Sequence, residues 1–384
     1  MTDEPPDAEK PRRRPRYRGT HPRAFSEKYK ELDPARFPDE REKVLASGKT
    51  PVGSHVPVLV HEVLEALRPK AGDLAVDATL GFGGHASELL RRILPGGRLL
   101  GLDVDPIELP RAEARLKALA RERGEPDAVR CVRRNYAGLR RLLAEDARGA
   151  AGADLVLADL GVSSMQLDDP GRGFSWKHDV PLDLRMNPTR GVPAGALLLR
   201  MKREEIEEFL RRLGDEPHAP QIAAALRATI DRRIAAAQAL HDANEPSPGS
   251  GNIHLLRNLP LRTSDVAAAV ELAYKGRTDR EASEAKNSSL QRTFQAIRIL
   301  VNDELTALEA FLRDLPACLA PGGRVAILTF HSGEDRLVKK AFAAGHADGT
   351  YTEISRRVVR ASSVERRANP RSHPAKLRRA VRAG

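Results

Sequence analysis

The chain has few cysteines, few aromatic residues and no long apolar run. Of its 384 residues, two are cysteine, one is tryptophan and 4% are aromatic. Cys131 and Cys318 lie far apart, so they make no cysteine zinc cluster or disulfide framework, and both are expected to be small buried hydrophobic residues. No stretch of eighteen apolar residues occurs, which excludes a membrane-spanning helix. No His, Cys and Asp residues have the spacing of metal ligands, so no metal is expected.

The N-terminus also lacks the features of a targeting segment. It begins MTDEPPDAEKPRRRPRYRG, without the apolar region of a secretory signal, and this predicts a cytoplasmic protein. Residues 1–50 are rich in proline, arginine and acidic residues and show no sustained period. We expect them to form a flexible N-terminal extension.

The charge of the chain is strongly basic and unevenly distributed. The formal net charge is +11, and residues 355–384 carry ten Lys or Arg residues against the single acid Glu365. A shorter basic run extends from Arg12 to Arg18. Such runs are more often solvated tails than binding sites, but basic and apolar residues alternate in AKLRRAVRA (375–383). This alternation predicts an ordered basic face, which favours RNA as a partner.

Short apolar runs alternate with helical patterns from residue 55 onward. The predicted strands are DLAVDATL, RLLGLDVD, AVRCVRRN, ADLVLADL and, near the C-terminus, RVAILTF. The alternation predicts an α/β fold with a parallel sheet that is covered on both faces. YTEISRRVV (351–359) and AKLRRAVRA are candidates for strands that close the sheet.

A helical region interrupts this pattern between Pro170 and Ser289. It contains the helical segments PAGALLL, KREEIEEFLRRLG, APQIAAALRATIDRRIAAAQAL and TSDVAAAVELAY, with a loop over 244–252. We therefore predict one α/β domain made of residues 51–169 and 290–384. Residues 170–289 are predicted to form an inserted helical domain.

A glycine-rich turn after the first strand has the features of a nucleotide site. Asp77 ends the strand, and Gly81, Gly83 and Gly84 precede a helix, where glycines let the backbone approach a ligand closely. Asp103 ends the second strand, where a carboxylate can accept hydrogen bonds from both ribose hydroxyls of an adenosine. The acidic turn suits the ammonium or sulfonium of S-adenosylmethionine better than the pyrophosphate of a dinucleotide. From spacing alone, a dehydrogenase and a purely structural turn stay open.

Five sequence blocks carry a resemblance to a known family. They are DATLGFGGHA (77–86), DLGVSSMQLDDPGRGFSW (159–176), LDLRMNP (182–188), RTFQAIRILVNDEL (292–305) and FHSGEDRLVK (330–339). In content and order they resemble the ribosomal RNA small subunit methyltransferase H family, also called MraW. The resemblance extends from about residue 55 to the C-terminus. It implies a class I S-adenosylmethionine-dependent methyltransferase fold, Rossmann-like, with an inserted helical domain for substrate recognition. It also implies methylation of a cytidine N(4) amino group in 16S rRNA, at the decoding centre of the small ribosomal subunit.

The resemblance also implies which residues contact the cofactor. Carried over position by position, the contacts fall on Gly83, Gly84, His85, Asp103, Tyr136, Asp159 and Gln166; the loop chemistry adds Asp77. His85 opens a helix, so its contact is expected to use the backbone N–H, with a dispensable imidazole. Tyr136 is expected to cover the adenine face.

Asp159, at the end of the fourth strand, is the predicted catalytic residue. The exocyclic amine of cytosine is a poor nucleophile because its lone pair is conjugated into the ring. An acceptor that binds an amine proton would direct the lone pair at the methyl group, and the rest of catalysis is alignment. A role of Asp159 toward the cofactor's own amino groups stays open.

Substrate contacts are predicted at six further positions. They are Ser163, Ser164, Trp176, Arg292, Arg298 and His331. Structural alternatives stay open: Trp176 can pack in the core, one of the two arginines can be structural, and His331 can cap a helix.

Other acceptors and assemblies also stay open. The alternatives are a methyltransferase of the same fold that acts on another nucleic acid, and an assembly factor without turnover. DNA is disfavoured because the turn after the fourth strand reads DLGVSS and lacks a D/N/S-P-P-aromatic sequence. A homodimer is a further open assembly. Truncation after Val359 is expected to lower RNA affinity and to leave cofactor affinity intact.

Overall fold

The computed structural model describes residues 57–146, 149–244, 260–275 and 280–384. The predicted N-terminal extension, the basic run 12–18 and nearly all of the predicted loop 244–252 lie outside the described residues.

A seven-stranded mixed sheet forms the centre of the fold. Its strands are β1 (Leu74–Asp77), β2 (Arg98–Asp103), β3 (Val129–Arg133), β4 (Ala153–Asp159), β5 (Leu319–Thr329), β6 (Tyr351–Ile354) and β7 (Lys376–Arg382). They lie in the order β3-β2-β1-β4-β5-β7-β6. Strands β1 to β5 are parallel, and β7 is antiparallel to both β5 and β6. The predicted parallel α/β fold and both closing strands are confirmed.

Helices cover the sheet and fill the interval between β4 and β5. Around the first four strands lie α1 (Val60–Leu67), α2 (Gly84–Ile93), α3 (Glu108–Glu122) and α4 (Leu139–Ala144). Between β4 and β5 lie α5 (Ser164–Asp168), α6 (Ala194–Leu198), α7 (Arg203–Gly214), α8 (Ala219–Asn244), α9 (Thr263–Ala273), α10 (Arg280–Asn302) and α11 (Glu304–Cys318). The last two are α12 (Ser332–Ala347) and α13 (Ser363–Ala368).

Alternate residues of each strand face two different hydrophobic cores. On β1, Ala75 belongs to one core, and Leu74 and Val76 belong to the other. On β4, Leu155 and Leu157 face the first core, while Val156 faces the second. Side chains alternate across a strand, so a sheet that is covered on both faces needs continuous apolar strands. This requirement explains why the strands appear in the sequence as unbroken apolar runs.

The helices between β4 and β5 have a hydrophobic core of their own. Phe174, Leu182 and Ile206 belong to it, and so do Leu290 and Phe294 of α10. Helix α10 runs through residue 290, which was the predicted boundary of the insertion. The exact domain limits therefore stay a prediction, although the helical character of the region is confirmed by α6 to α9.

Strand β7 occupies an interior position between β5 and β6, and its basic residues are paired. Arg378 is buried and contacts Asp335 at 2.6 Å, and Lys376 lies 3.3 Å from the same carboxyl group. Arg379 pairs with Glu353. The run AKLRRAVRA is therefore ordered, as expected, but it does not present a free basic face. Truncation after Val359 would delete this interior strand, so it cannot separate RNA binding from folding.

Candidate active site

Three aspartates end neighbouring strands at one edge of the sheet. Asp77, Asp103 and Asp159 are the last residues of β1, β2 and β4. The strand order reverses between β1 and β4, and ligands of open α/β sheets bind at such a switch point, outside the carboxyl ends of the strands. The fold therefore brings together these three predicted residues at the position where it is built to bind a ligand.

The turn between β1 and α2 needs glycine for two different reasons. Gly83 has a φ of 78°, in the left-handed region that residues with a side chain rarely adopt. A Cβ atom on Gly84 would lie 2.8 Å from Pro57, which leaves no room for a side chain. Helix α2 begins at Gly84, and the first N–H groups of a helix lack intrahelical partners. These amides can bind a carboxylate such as that of the predicted cofactor.

The imidazole of His85 is buried between Val58 and Asp159. The imidazole is 6% exposed; its Nε2 lies 2.9 Å from the carbonyl oxygen of Val58, and its Nδ1 lies 3.5 Å from Oδ2 of Asp159. Burial acts to lower the pKa of His85, but the hydrogen bond and charge of Asp159, together with the charge of Asp77, outweigh it and raise the pKa. A protonated ring donates to both partners. The imidazole therefore positions Asp159, which the sequence expectation of a dispensable ring had missed.

Asp159 has one carboxylate oxygen that is held and one that is not. Its backbone N–H donates to Oγ1 of Thr79 at 2.6 Å, and Oδ2 faces His85. Oδ1 is buried and has no hydrogen-bond partner in the described part of the chain. An unpaired buried carboxylate oxygen is costly, so it calls for a donor from a ligand. An amino group of S-adenosylmethionine or of a substrate fits this requirement.

Asp77 is the most deeply buried of the three carboxyl groups. It is 1% exposed, and its Oδ1 accepts the N–H of Thr79 at 3.1 Å. Burial raises its pKa to about 7, opposed by His85 and Thr79 and assisted by the charges of Asp159 and Asp103. A cation beside this group would favour its ionised form. The donor set therefore fits the positively charged end of the predicted cofactor.

Cofactor affinity is expected to rise with pH as Asp77 ionises. Below its pKa of about 7 the carboxyl is mostly protonated and offers no charge to a cation; above it the carboxylate is fully available. By linkage, the association constant should increase about tenfold between pH 6 and pH 8, with proton release on binding near pH 6. Calorimetric titration in buffers of different ionisation enthalpy measures both quantities. A wild-type curve as flat as that of Asp77→Asn would contradict the assignment.

Asp103 links the ends of β1 and β2. Its Oδ2 accepts the N–H of Gly81 at 2.6 Å, and its Oδ1 accepts the N–H of Asp105 at 2.8 Å. Burial raises its pKa. Each carboxylate oxygen has a second acceptor site, so the predicted contacts to ribose hydroxyls stay compatible with this geometry.

Gln166 is anchored at both ends of its amide. Its Oε1 accepts the N–H of Ser163 at 2.9 Å, and its Nε2 donates to Oδ2 of Asp105 at 2.7 Å. The Ser163 hydroxyl oxygen accepts the N–H of Gln166, which completes a capping box at the start of α5. Gln166 thus ties the turn after β4 to the turn after β2, and its predicted cofactor contact depends on the remaining N–H.

Arg172 is a buried residue of the site region that sequence reasoning did not single out. Its Nη1 donates to Oδ2 of Asp105 at 2.9 Å, and its Nη2 donates to the carbonyl oxygens of Arg185 at 3.2 Å and Met186 at 2.8 Å. Asp105 is fully buried and Arg172 is 7% exposed. One guanidinium therefore joins the turn after β2 to the LDLRMNP block. Arg172 lies inside the block 159–176, and Asp105 lies at the end of the predicted strand RLLGLDVD, but only the fold shows that the two side chains meet.

A second missed residue supports the glycine turn. The guanidinium carbon of Arg115 on α3 lies 3.3 Å from the ring centroid of Phe82, and the same side chain donates to the carbonyl oxygen of Phe82. Cation–π contact of this kind is attractive and directional. Phe82 stands between Gly81 and Gly83, so Arg115 ties the turn to α3.

Tyr136 and Arg298 meet around Glu304 at the start of α11. The Tyr136 hydroxyl donates to the backbone carbonyl of Glu304 at 3.3 Å, and its ring packs edge-on against Phe311 at 5.4 Å. Burial raises the pKa of Tyr136, so it stays protonated. Arg298 makes a two-pronged ion pair with Glu304 at 2.8 and 2.9 Å. Its free Nη1 faces the turn at Gly161. The predicted adenine and substrate contacts of the two residues stay predictions.

The remaining predicted substrate residues have mixed placements. Ser163 caps α5 and Ser164 begins it, beside the glycine turn. Trp176 is half-buried and packs against Phe294, with ring centroids 5.4 Å apart. Arg292 is exposed on α10. Their contacts with a substrate stay predictions.

His331 caps the first turn of α12. Its Nδ1 accepts the N–H of Glu334 at 3.4 Å, and Oε2 of Glu334 accepts the backbone N–H of His331 at 3.4 Å. The ring is 9% exposed. The capping role that the sequence left open is therefore present, and a substrate contact of this ring stays a prediction.

Within residues 57–146, 149–244, 260–275 and 280–384, no group of three or more His, Cys, Asp or Glu residues is arranged to hold a metal ion. In the same ranges, no helix combines the length and the apolar character needed to cross a bilayer.

Comparison with known proteins identifies the family. The model of the MraW methylase family matches residues 53–383. Ribosomal RNA small subunit methyltransferase H 1 from Lachnoclostridium phytofermentans is 42% identical over 385 residues, which cover 100% of this chain and 97% of the relative. Ribosomal RNA small subunit methyltransferase H 2 from Alkaliphilus metalliredigens is 41% identical, and the match covers 98% of this chain and 99% of the relative.

Solved structures are more distant. Aeropyrum pernix fibrillarin in complex with S-adenosyl-L-methionine is 12% identical, with a TM-score of 0.32, over 81% of this chain and 67% of that chain. A Streptococcus mutans protein in complex with SAH is 9% identical, with a TM-score of 0.34, over 85% and 98%.

The family match confirms three predictions from the sequence: the resemblance itself, enzymatic methyl transfer, and S-adenosylmethionine as the cofactor. With a model that covers residues 53–383 and relatives that match over nearly their whole length, this chain belongs to the MraW methylase family.

Proposed function

We propose that this protein methylates the N(4) amino group of a cytidine in 16S rRNA, at the decoding centre of the small ribosomal subunit, in the cytoplasm. The observation that carries the chemistry is the unpaired, buried Oδ1 of Asp159 at the switch point between β1 and β4. The substrate is supported by relatives that are named ribosomal RNA small subunit methyltransferase H and match over nearly their whole length.

The chain's own residues supply alignment and an acceptor. S-adenosylmethionine, when bound, supplies a methyl group that its sulfonium charge has already activated. Asp77, at the turn after β1, balances the positive charge of the cofactor. Beside this turn, Asp103 offers hydrogen-bond acceptors and the first amides of α2 offer donors. These groups hold the reacting partners in line, which is the main contribution that this transfer needs.

Asp159 acts on the amine in this proposal. Its Oδ1 accepts an amine hydrogen, which turns the nitrogen lone pair away from the ring and toward the methyl group. The same oxygen takes the proton that the amine loses on methylation. Oδ1 is buried, so in this proposal the proton stays on the carboxyl group during the transfer and is lost to solvent after the methylated product has left. His85 holds Oδ2 and keeps the carboxylate oriented.

The modification of ribosomal RNA in cells tests the function. A strain without the gene is expected to lose N(4)-methylcytidine from 16S rRNA, as measured by mass spectrometry of nuclease digests. The wild-type gene should restore it, and a gene with Asp159→Asn should not. An unchanged N(4)-methylcytidine content in the deletion strain would sink the proposed function.

Purified components define the acceptor. Methyl transfer by the purified protein onto naked 16S rRNA, purified small subunits, tRNA and DNA is compared side by side. Transfer onto 16S rRNA, either free or in the subunit, is expected. Preferential transfer onto tRNA or DNA would show that the proposed substrate is wrong, although the protein would still be a methyltransferase.

A further inference from the structure

A set of arginines between β6 and β7 is exposed and unpaired. We call it the basic rim; its members are Arg356, Arg357, Arg360, Arg366 and Arg367. None of these side chains makes a hydrogen bond or ion pair with a residue in the described ranges. On β7, by contrast, Lys376, Arg378 and Arg379 pair with acids, and Arg382 donates to the carbonyl oxygen of Leu319. The acid among them, Glu365, is occupied: its Oε1 accepts the N–H of Leu59 at 2.8 Å. The basic rim therefore carries five positive charges against the single carboxylate of Glu365, which leaves a net positive surface.

The basic rim is held in place by the fold. Val359 and Leu377 exchange two backbone hydrogen bonds of 3.1 and 2.9 Å, and Ala361 is buried. Ser362 caps α13 through the N–H of Glu365. A charged surface with fixed geometry loses less conformational entropy on binding than a solvated tail does.

Two contacts place the basic rim beside the active site. Glu365 binds Leu59, whose neighbour Val58 holds the imidazole of His85. Further along, Arg371 lies 3.0 Å from Asp168 at the end of α5, the helix that follows the turn after Asp159. The segment that carries the free arginines is thus attached to α5, which follows the turn after Asp159, and to the residue next to Val58, which contacts His85.

We propose that the basic rim binds the phosphate backbone of the RNA whose base enters the active site. This inference rests on the proposed function and names the surface that holds the substrate strand. Arginine suits this task because its planar guanidinium donates two parallel hydrogen bonds to phosphate oxygens. The contacts of Glu365 and Arg371 lead from this segment to the surroundings of His85 and to α5, so the backbone of a base that reacts beside Asp159 would pass over the rim.

Nearby acids restrict the path of the backbone. A groove of about 470 Å³ between α1 and this segment is lined by Glu62 and Glu65 as well as by Arg68 and Arg379. The groove's acids offset its arginines, whereas α13 carries two exposed arginines against Glu365 alone, so we place the strand over α13. Arg366 and Arg367, the two arginines of α13, are therefore the central contacts.

Paired substitutions test the surface in the full-length protein. The variant is Arg366→Gln with Arg367→Gln, since glutamine keeps the helix propensity of arginine. The matched control is Arg121→Gln with Arg123→Gln, two exposed arginines at the end of α3. That end lies at the opposite edge of the sheet, because the neighbouring Glu125 binds the N–H of Gly96, just before β2 begins.

The readouts are binding to a single-stranded 16S rRNA fragment over a range of salt, methylation kinetics and cofactor binding. For the rim variant we expect affinity at 0.1 M salt to fall roughly tenfold. The slope of log K against log salt should decrease in magnitude by about 1.4, because each of the two lost phosphate contacts contributes about 0.7. KM for RNA should rise, while kcat at saturating RNA and the Kd of S-adenosylmethionine stay unchanged. The control should match the wild type.

Two results would overturn the proposal in different ways. If the wild type methylates 16S rRNA and the rim variant binds with the same affinity and salt slope, the surface is wrong and the proposed function stands. If the wild type does not methylate 16S rRNA at all, the proposed function fails, and the inference about the rim fails with it.

Discussion

Asp159→Asn is expected to lower kcat for methyl transfer by about 100-fold to 1,000-fold, the usual loss when one preorganised electrostatic group is removed. The substitution keeps the size of the side chain, but it removes the charge that His85 holds and places an amide where Oδ1 receives a donor. Rates are measured with purified protein, saturating S-adenosylmethionine and 16S rRNA. The Kd of S-adenosylmethionine is measured on the same preparations, because a loss confined to that Kd would assign Asp159 to the cofactor alone.

Asp154→Asn is the matched control for this prediction. Asp154 stands on the same strand, β4, but at its opposite end, where its carboxylate accepts the N–H of Leu74 at 2.8 Å. Its kcat should stay within about twofold of the wild type, because no group near Asp154 belongs to the site. A kcat of Asp159→Asn that is as high as that of Asp154→Asn would contradict the catalytic assignment.

Arg172→Met is expected to destabilise the protein by about 3–5 kcal/mol, the cost of leaving one partner of a buried ion pair uncompensated. The charge left behind is Asp105, which is fully buried and pairs with the guanidinium at 2.9 Å. The carbonyl oxygens of Arg185 and Met186 lose their donors as well. Equilibrium unfolding in urea measures the change in the free energy of unfolding.

A second substitution and an exposed pair make this prediction specific. Arg172→Met combined with Asp105→Asn should recover part of the lost stability, because no buried charge then lacks a partner. The hydrogen bond from the N–H of Ile107 to Oδ1 of Asp105 can also be kept, because the amide oxygen of asparagine can accept it. Arg211→Met removes an exposed pair with Glu207 and should cost less than about 1 kcal/mol. A loss for Arg172→Met as small as that for Arg211→Met would refute the structural role.

Much of the fold was predictable because its signals are local. Each strand of the parallel sheet is an apolar run, and each glycine turn or helix start is encoded by its own few residues. The run RVAILTF, for instance, predicts the core of β5 without reference to any other part of the chain. The limits of the inserted region were harder to predict, because α10 continues without a local signal from the helical core toward the sheet.

The candidate site was predictable only in part, because only some of its residues carry a local signal in the sequence. Strand ends mark Asp77, Asp103 and Asp159, since parallel strands deliver their last residues to one edge. The sequence holds no signal for the meeting of His85 with Asp159, or of Arg172 with Asp105, 67 residues away. Such contacts depend on how separate elements pack.

Charge shows the same division. The sequence alone determined that the last thirty residues are basic, and the family blocks determined that the chain is a methylase. Only the tertiary structure decided which of those charges are free, because pairing depends on which acids lie within a few ångströms. Arg378 pairs with Asp335, whereas Arg366 and Arg367, about a dozen residues earlier, pair with no acid in the described ranges and stay available to a ligand.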